Sequence, residues 1–580
     1  MSSDETESPS APDPELVGTP RGTPPLPSAD SVPSPAFDTT ATSHLPRRDS
    51  KLRLLKHGWS FGTPGRSFYQ KLEDQYGRDF LRILASIHFG VKGVMYHYLK
   101  TVQLPYFREL KLDGVQYQTN MTISWTPWAM KGLFGALTDI LPIGGYHGKW
   151  YMFISNIFGV IGLLGLATMS HDSAKRHVWA VGAFFFFSQI QCALQDMLTD
   201  GKYTEMMALR PDHGPEIVTY VWGLATCGVI IASASVGPIS DNVGPDLVFW
   251  LCLPMSLQSV YPVLKGWLPE ERIPPPHGSR IQVAKLRAEW KTFLMGAISG
   301  VAALGLAIVG AFSSPMVQLI YSAIVAIIVS VIAFALLSSA QAASKLYFFL
   351  SVALYVQIPG AIDFWYTAGP SCVPNGPNFD FTYYQTVSQL VGALASALAL
   401  LIFQTVITKW RFRSAFWITT LVRIMVSCVD LIIIERVNLK IGLPDKAAFI
   451  LGDAMLLNLT QMLDLMPAIL LLSKLTSPLA ATTSYAVLQS FMNFGMNASR
   501  AFGVWLIEAF AIQTGNEADS TCNFRNLTYL VLVAHIILPA TAIPLVFILI
   551  PDMPIRSPDS ATTQPDSATA VDPNWIDPIV

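Results

Sequence analysis

Thr122-Ile-Ser-Trp-Thr-Pro127-Trp128-Ala-Met-Lys131-Gly132-Leu-Phe-Gly135-Ala-Leu-Thr138-Asp139-Ile-Leu-Pro142-Ile-Gly-Gly-Tyr146 has the length of a membrane span, a lysine deep inside it and an aspartate towards one end. A helix crosses a bilayer with about 20 mostly apolar residues. A charge at its centre costs about 2.5–3.5 kcal/mol on insertion scales. On a helix rising ~1.5 Å per residue, Lys131 lies ~12 Å from Asp139. A lysine at that depth needs a counter-ion, either a carboxylate of the protein or an anionic substrate.

Runs of similar length recur near 80–104, 118–141, 150–170, 177–199, 217–236, 246–264, 292–312, 316–338, 346–365, 381–405, 413–434, 447–472, 480–510 and 527–550, fourteen in all. Apolar residues make up 51% of the 580 and charged residues 13%, against roughly 25% charged in soluble domains. Mean hydropathy is +0.41. The chain therefore reads as an all-α polytopic membrane protein. Six runs precede a polar, proline-rich break that begins at Lys265, two very apolar runs follow it, and six more close the series. This predicts two six-helix bundles, 77–266 and 346–551, with a linker and an extra helical pair at 267–345. Transporters are often built from such repeated halves.

The segments 1–76 and 552–580 read as cytoplasmic tails, the first ending in a basic pre-membrane stretch. The Ser-, Pro- and Thr-rich tails hold too few large apolar residues to offset chain entropy, so disorder is expected. Lys and Arg crowd the stretch before the first run, the break after the sixth and the loop near 406–413. The positive-inside rule then puts both termini in the cytoplasm, and a plasma-membrane location is expected. Two loop cysteines, Cys372 and Cys522, fall on the outer side, where disulfides persist, so a bridge between them is expected, with two free loop thiols as the alternative. No basic cluster with interleaved aromatics suggests nucleic acid. No zinc-protease, nucleophile-elbow or nucleotide-loop motif marks an enzyme, and no metal or cofactor is expected.

Several runs carry groups that lipid rejects: Asp196, Asp363, Asp464 and Glu508 besides Lys131 and Asp139. A water-lined path through a bundle explains them. Asp196 and Asp200 are one turn apart and share a face with Gln189, which Gln191, Gln195 and Thr199 widen. Two carboxyls so close suit a proton-coupling site. His88 and Lys92, spaced i,i+4, are candidates to face the cavity. Asp363 sits beside Pro359, Trp365 and Tyr366, a setting that suits a planar hydrogen-bonding ligand. Ser490, Asn493, Asn497, Arg500 and Glu508 form a stripe, and the amides of Asn493 and Asn497 can equally bond neighbouring helices. Arg423 and Asp430 share a face and are expected to pair. Gly135 and Asp139 resemble the start of the loop motif of major facilitator transporters, which implies a gating role for the acid.

At Pro127-Trp-x-x-Lys131 with Gly135, Thr138-Asp139, Pro142 and Gly145-Tyr146, the chain resembles the folate-biopterin transporter family of the major facilitator superfamily. Asp196 with Asp200-Gly-Lys-Tyr203, Pro359 with Asp363, and Gly452-Asp453, Met466-Pro467 and Asn493 extend the likeness over most of 80–550. The two extra runs look most like trypanosomatid pteridine and folate transporters. Gly132 stands where the family pattern has proline, and Ala481 where it has glutamate. The resemblance implies a major-facilitator-type bundle that moves folate or a pterin by alternating access, with protons. It implies Lys131 and Arg500 as cations for the glutamate tail of folate, and Asp196 or Asp363 as the acid for the pterin edge. A transporter of S-adenosylmethionine or another nucleoside-like cation would favour the acids instead. A non-transporting sensor or scaffold on the same fold is the third alternative.

Overall fold

The computed structural model describes residues 68–209, 214–274, 281–475, 481–515 and 522–555. The two segments read as disordered lie outside these, except for 68–76 and 552–555. Every named element among the described residues is helical. Among the described residues, eleven helices are long and apolar enough to cross a membrane. The other three expected runs are helical as well, over 78–109, 114–140 and Ala481–Ala509. These three bear the cations of the site, Lys92 and Lys100, Lys131, and Arg500 in turn.

The opening stretch is two helices rather than one. Asp113 starts the first, Gly114–Ala129, with a capping box: its carboxylate accepts from Gln116 N at 2.7 Å, and Gln116 Oε1 accepts from Asp113 N at 3.3 Å. Such a cap satisfies two of the helix's orphan N–H groups. Pro127 has no N–H to donate to the preceding turn, and the helix bends at Met130 before resuming as Lys131–Ile140. Lys131 therefore opens a new helix instead of lying midway along one.

The extra pair, Val283–Phe312 and Pro315–Leu336, docks on that second helix and on Ala481–Ala509. An apolar core joins Ala129 and Met130 to Met295, Leu306, Phe349, Val487 and Phe494. Gly132 meets Gly296 backbone to backbone: a Cβ built on Gly296 would lie 2.5 Å from the Gly132 carbonyl oxygen. Gly132 N also donates to Ser490 Oγ at 2.6 Å. Proline at this position would lose that donor and add a ring where there is no room. Pro315–Leu336 keeps most of its apolar surface exposed, Ile327 and Val331 among it, as a helix with one side in hydrocarbon does.

The run near 346–365 is also broken. Ser339–Leu354 stops, residues 355–358 unwind, and Pro359 opens Pro359–Tyr366. Gln118 fastens the break. Its amide donates to Gln357 O and Arg500 O, both at 2.8 Å, and accepts from Gly360 N at 2.9 Å. Unwound backbone within a membrane needs such protein partners. Cys372, beyond Pro359–Tyr366, is joined by a disulfide to Cys522, beyond Ala481–Ala509.

Candidate transport site

Among the described residues, four runs of the helices are π-helical: Ser86–Met95, Thr382–Val387, Ile450–Leu457 and Leu532–Ile537. Such wide turns cluster at functional sites. These carry Lys92, Tyr384, Asp453 and His535, and each of those residues enters one of two polar groups.

The first group is an ion cluster. Asp196 is buried between two ammonium groups, Lys92 at 2.5 Å and Lys131 at 2.6 Å. Lys92 also reaches Asp200 at 3.5 Å, and Asp200 lies 3.9 Å from His88 Nε2. Lys131 donates further to Gln489 Oε1 at 3.3 Å and stands 4.4 Å over the Trp128 ring. The Trp128 indole is fixed by Gln189 Oε1 at 2.9 Å. Two lysines thus balance two aspartates. Pairing of this kind is what allows buried charge at all.

The second group lines a cavity of about 270 Å³, near the lower end of the usual range for small-molecule sites, ~300 Å³ and above. Asp363 accepts from the hydroxyls of Tyr117 at 2.9 Å and Tyr384 at 2.8 Å. Asp430 accepts from Tyr366 at 2.9 Å, and its carboxyl lies against that of Asp453. No lysine or arginine pairs with Asp363, Asp430 or Asp453 among the described residues. Lys100 lines the same cavity. His535 adds a ring stacked 4.6 Å from Tyr355, and its Nδ1 has no hydrogen-bond partner. The cavity walls come from both ends of the chain, Lys100 and Tyr117 on one side and Tyr355 to His535 on the other.

The BT1 family model matches residues 92–569. The chain belongs to the BT1 family. Among curated relatives, a probable folate-biopterin transporter of Arabidopsis thaliana is 24% identical over 446 residues, covering 76% of this chain and 75% of its own. A folate-biopterin transporter of Synechocystis is 22% identical over 498 residues, covering 84% and 85%. Among solved structures, a peptide transporter POT in complex with sulfate superposes with a TM-score of 0.57 at 14% identity, over 84% of this chain and 97% of its own. The nucleoside transporter NupG gives 0.51 at 15%, over 81% and 98%. These structures carry the fold, that of major-facilitator-type membrane transporters. Family and fold alike are those of transporters, not enzymes.

For this BT1-family chain the candidate residues fall into two places instead of one. Lys131, Asp196, Asp200, His88 and Lys92 meet in the ion cluster. Asp363 faces the cavity. Arg500 is buried near Tyr117, donates to Asn497 Oδ1 at 3.0 Å and lies 4.9 Å over Trp125. Asp139 accepts from Lys285 at 2.9 Å, and Gly135 gives Met197 and Ala486 room to approach. Asn493 and Asn497 bond Trp128 O at 2.9 Å and Thr126 Oγ1 at 3.5 Å on the neighbouring helix.

Some expectations need correction. Arg423 pairs with Asp464 at 3.1 Å and not with Asp430. The two are seven residues apart, about 10 Å along a helix, so the guanidinium turns to a neighbouring helix instead. Gln191 and Gln195 do not widen the acid face. Their amides donate to Asn156 Oδ1 at 2.6 and 3.1 Å and so knit helices together. Glu508 is exposed and extends no buried stripe. Lys100, Tyr117, Tyr384 and His535 were not singled out from sequence. The π-helical turns that carry Lys92, Tyr384, Asp453 and His535 leave no trace in apolar periodicity.

Proposed function

We propose that this chain moves a folate or pterin across a membrane by alternating access. The observation that carries the reading is the cavity between the two ends of the chain. Its carboxyls pair with no lysine or arginine among the described residues, and its tyrosines stand beside them. The amino and ring N–H groups of a pterin offer donors to Asp363, while Tyr117, Tyr384 and Phe449 supply flat apolar walls. The relatives named as folate-biopterin transporters support the substrate class. Expression in a host lacking folate and pterin uptake tests it. Labelled folate or biopterin should accumulate above the host background. A chain that reaches the surface and accumulates neither refutes the transport reading.

In this reading the ion cluster couples transport to protons. Lys92 stands between Asp196 and Asp200, so a proton on Asp200 leaves Lys92 to Asp196 alone, and its loss draws Lys92 back. His88 lies at the edge of that exchange. Asp200→Asn should flatten the pH profile of uptake, and an unchanged profile counts against coupling here. Asp139 and its partner Lys285 act at the gate. The lysine and arginine distribution supports cytoplasmic termini, and the disulfide supports an outer face in the plasma membrane. A second reading, transport of S-adenosylmethionine or a similar cation, is favoured by the three carboxyls, Asp363, Asp430 and Asp453, that have no lysine or arginine partner among the described residues. Uptake of labelled S-adenosylmethionine in the same host separates the two.

A further inference from the structure

A second cavity, of about 160 Å³, lies apart from the transport site, where two candidate membrane spans end. Lys149 is the first residue of the span Lys149–Thr168, and Lys265 is the last of the span Asp246–Lys265. Both line the cavity. Gly266 turns the chain after Lys265 in the left-handed conformation, and a Cβ built on it would stand 3.6 Å from Lys149 Nζ. Glu270 is the one acid among the lining residues, and it is engaged elsewhere. Its carboxylate accepts from Lys149 N at 3.2 Å and so caps the start of that helix. Gly148 makes the approach possible, since a Cβ there would lie 2.3 Å from Glu270 Oε1. Neither lysine has a carboxylate within ion-pair distance among the described residues. Their ammonium groups lie over aromatic faces instead, Lys149 at 5.4 Å from the Tyr146 ring and Lys265 at 5.8 Å from that of Tyr261. The rest of the wall is largely apolar, with Ile83, Met152, Val263 and Leu268.

We propose that this cavity seats the headgroup of an anionic phospholipid. Its two lysines and one glutamate leave one positive charge, which the single negative charge of a phosphodiester balances. The depth is right as well. Residues that end two spans stand where headgroups meet hydrocarbon. Trp150, 5.9 Å from Lys149 Nζ, and Trp267, edge-on to Tyr261 at 5.3 Å, complete a group of interfacial aromatics of the kind that marks that level. The apolar wall accepts the start of an acyl chain, which a free phosphate does not have. The chain from Asp139 to Lys149 places the cavity on the face expected in the cytoplasm, whose leaflet holds the anionic lipids, and basic pockets between spans on that face bind such headgroups. The cavity is also held together by backbone. Ile273 N donates to Gly145 O at 3.0 Å, so the segment that carries Lys265 and Glu270 is fastened to the loop before Lys149.

The test titrates fluorescently labelled phosphatidylserine against the purified full-length chain in a neutral detergent. Labelled phosphatidylcholine is the second arm, and unlabelled inorganic phosphate is the competitor. Phosphatidylserine should bind more tightly than phosphatidylcholine, and a large excess of inorganic phosphate should leave it in place. Lys149→Gln and Lys265→Gln should each weaken phosphatidylserine by about fivefold, the scale of one basic residue at an anionic surface, and leave phosphatidylcholine unchanged. Lys265→Arg should keep the wild-type affinity. Lys265 is exposed, so its substitutions spare the packing, and an unaltered melting temperature in detergent confirms it. Equal binding of the two lipids, or an affinity for phosphatidylserine that moves in neither glutamine variant, overturns the site. Displacement by inorganic phosphate would assign the two lysines to a soluble anion and overturn the lipid assignment.

Discussion

Asp196, buried, and Asp363, half-buried, are both aspartates on membrane-spanning segments, and they are held in opposite ways. Asp196 touches two ammonium groups, those of Lys92 and Lys131. Asp363 touches two phenol hydroxyls, those of Tyr117 and Tyr384. The first arrangement is complete without a ligand, because the protein supplies the balancing charge. The second positions a carboxyl and leaves its charge unmatched towards a cavity. A closed cluster suits conformational coupling, and an open one suits recognition. The contrast also separates residues that a sequence pattern groups together only because each is a charge in an apolar run.

The largest effect should come from breaking the closed cluster. Lys131→Met leaves Asp196 with one partner in an interior where an uncompensated charge costs about 3–5 kcal/mol. Uptake should fall by more than about a hundredfold on that scale, and thermal stability of the purified chain should drop with it. The double variant Lys131→Met, Asp196→Asn removes one charge of each sign and leaves Lys92 to Asp200. It should be more stable than the single variant. Melting curves that show the double no better than the single would dissolve the idea of a balanced cluster.

A next step reaches the same cluster without touching a charge. Gly132→Pro removes the N–H that meets Ser490 and forces a ring against Gly296. Lost hydrogen bonding and overpacking together cost about 2–3 kcal/mol. Because Lys131 is the adjacent residue, the strain should disturb uptake as well as stability. Gly296→Ala, which presses on the same contact from the inserted helix, should act in the same direction. Full stability in both variants would mean that the inserted pair is not seated on the helix that carries Lys131.

Asp363→Asn then probes the open cluster. An asparagine oxygen still accepts from Tyr117 or Tyr384, so stability should change by less than about 1 kcal/mol. The effect should appear in the KM for uptake, about tenfold, with surface level retained. If Asp363→Asn unfolds the chain as readily as Lys131→Met, the two aspartates are not different in kind.

The membrane-spanning architecture was legible in the sequence because the bilayer imposes a length and a hydropathy that few other settings require. Polar residues inside those runs flagged the candidate site for the same reason. Which of them meet was not legible. Lys131 and Asp139 lie on one helix but pair elsewhere, because their eight-residue separation sets them ~12 Å apart along it. Arg423 and Asp430 share a face yet turn to different partners. Lys100 did not stand out beside Lys92, since a lysine near the end of a span is ordinarily drawn to the interface. Its place in the cavity wall is a property of packing among distant segments. Tyr117 and Tyr384 likewise became site residues only through Asp363, which they reach from two other helices.

The smallest expected effect concerns Asp139, whose partner Lys285 comes from the start of the inserted helix. Both side chains retain solvent contact, 48% for Lys285 and 28% for Asp139, unlike the pairs around Asp196. An ion pair at that exposure is worth about 0–1 kcal/mol. Lys285→Ala should therefore leave stability almost unchanged and alter the rate of uptake by about twofold, if the pair biases one conformation over another. Salt screens such a pair much more than a buried one. The difference between wild type and Lys285→Ala should accordingly shrink as ionic strength rises, while that between wild type and Lys131→Met should not. If salt abolishes both differences, the cluster around Asp196 is open to solvent. The two aspartates would then differ in position but not in character.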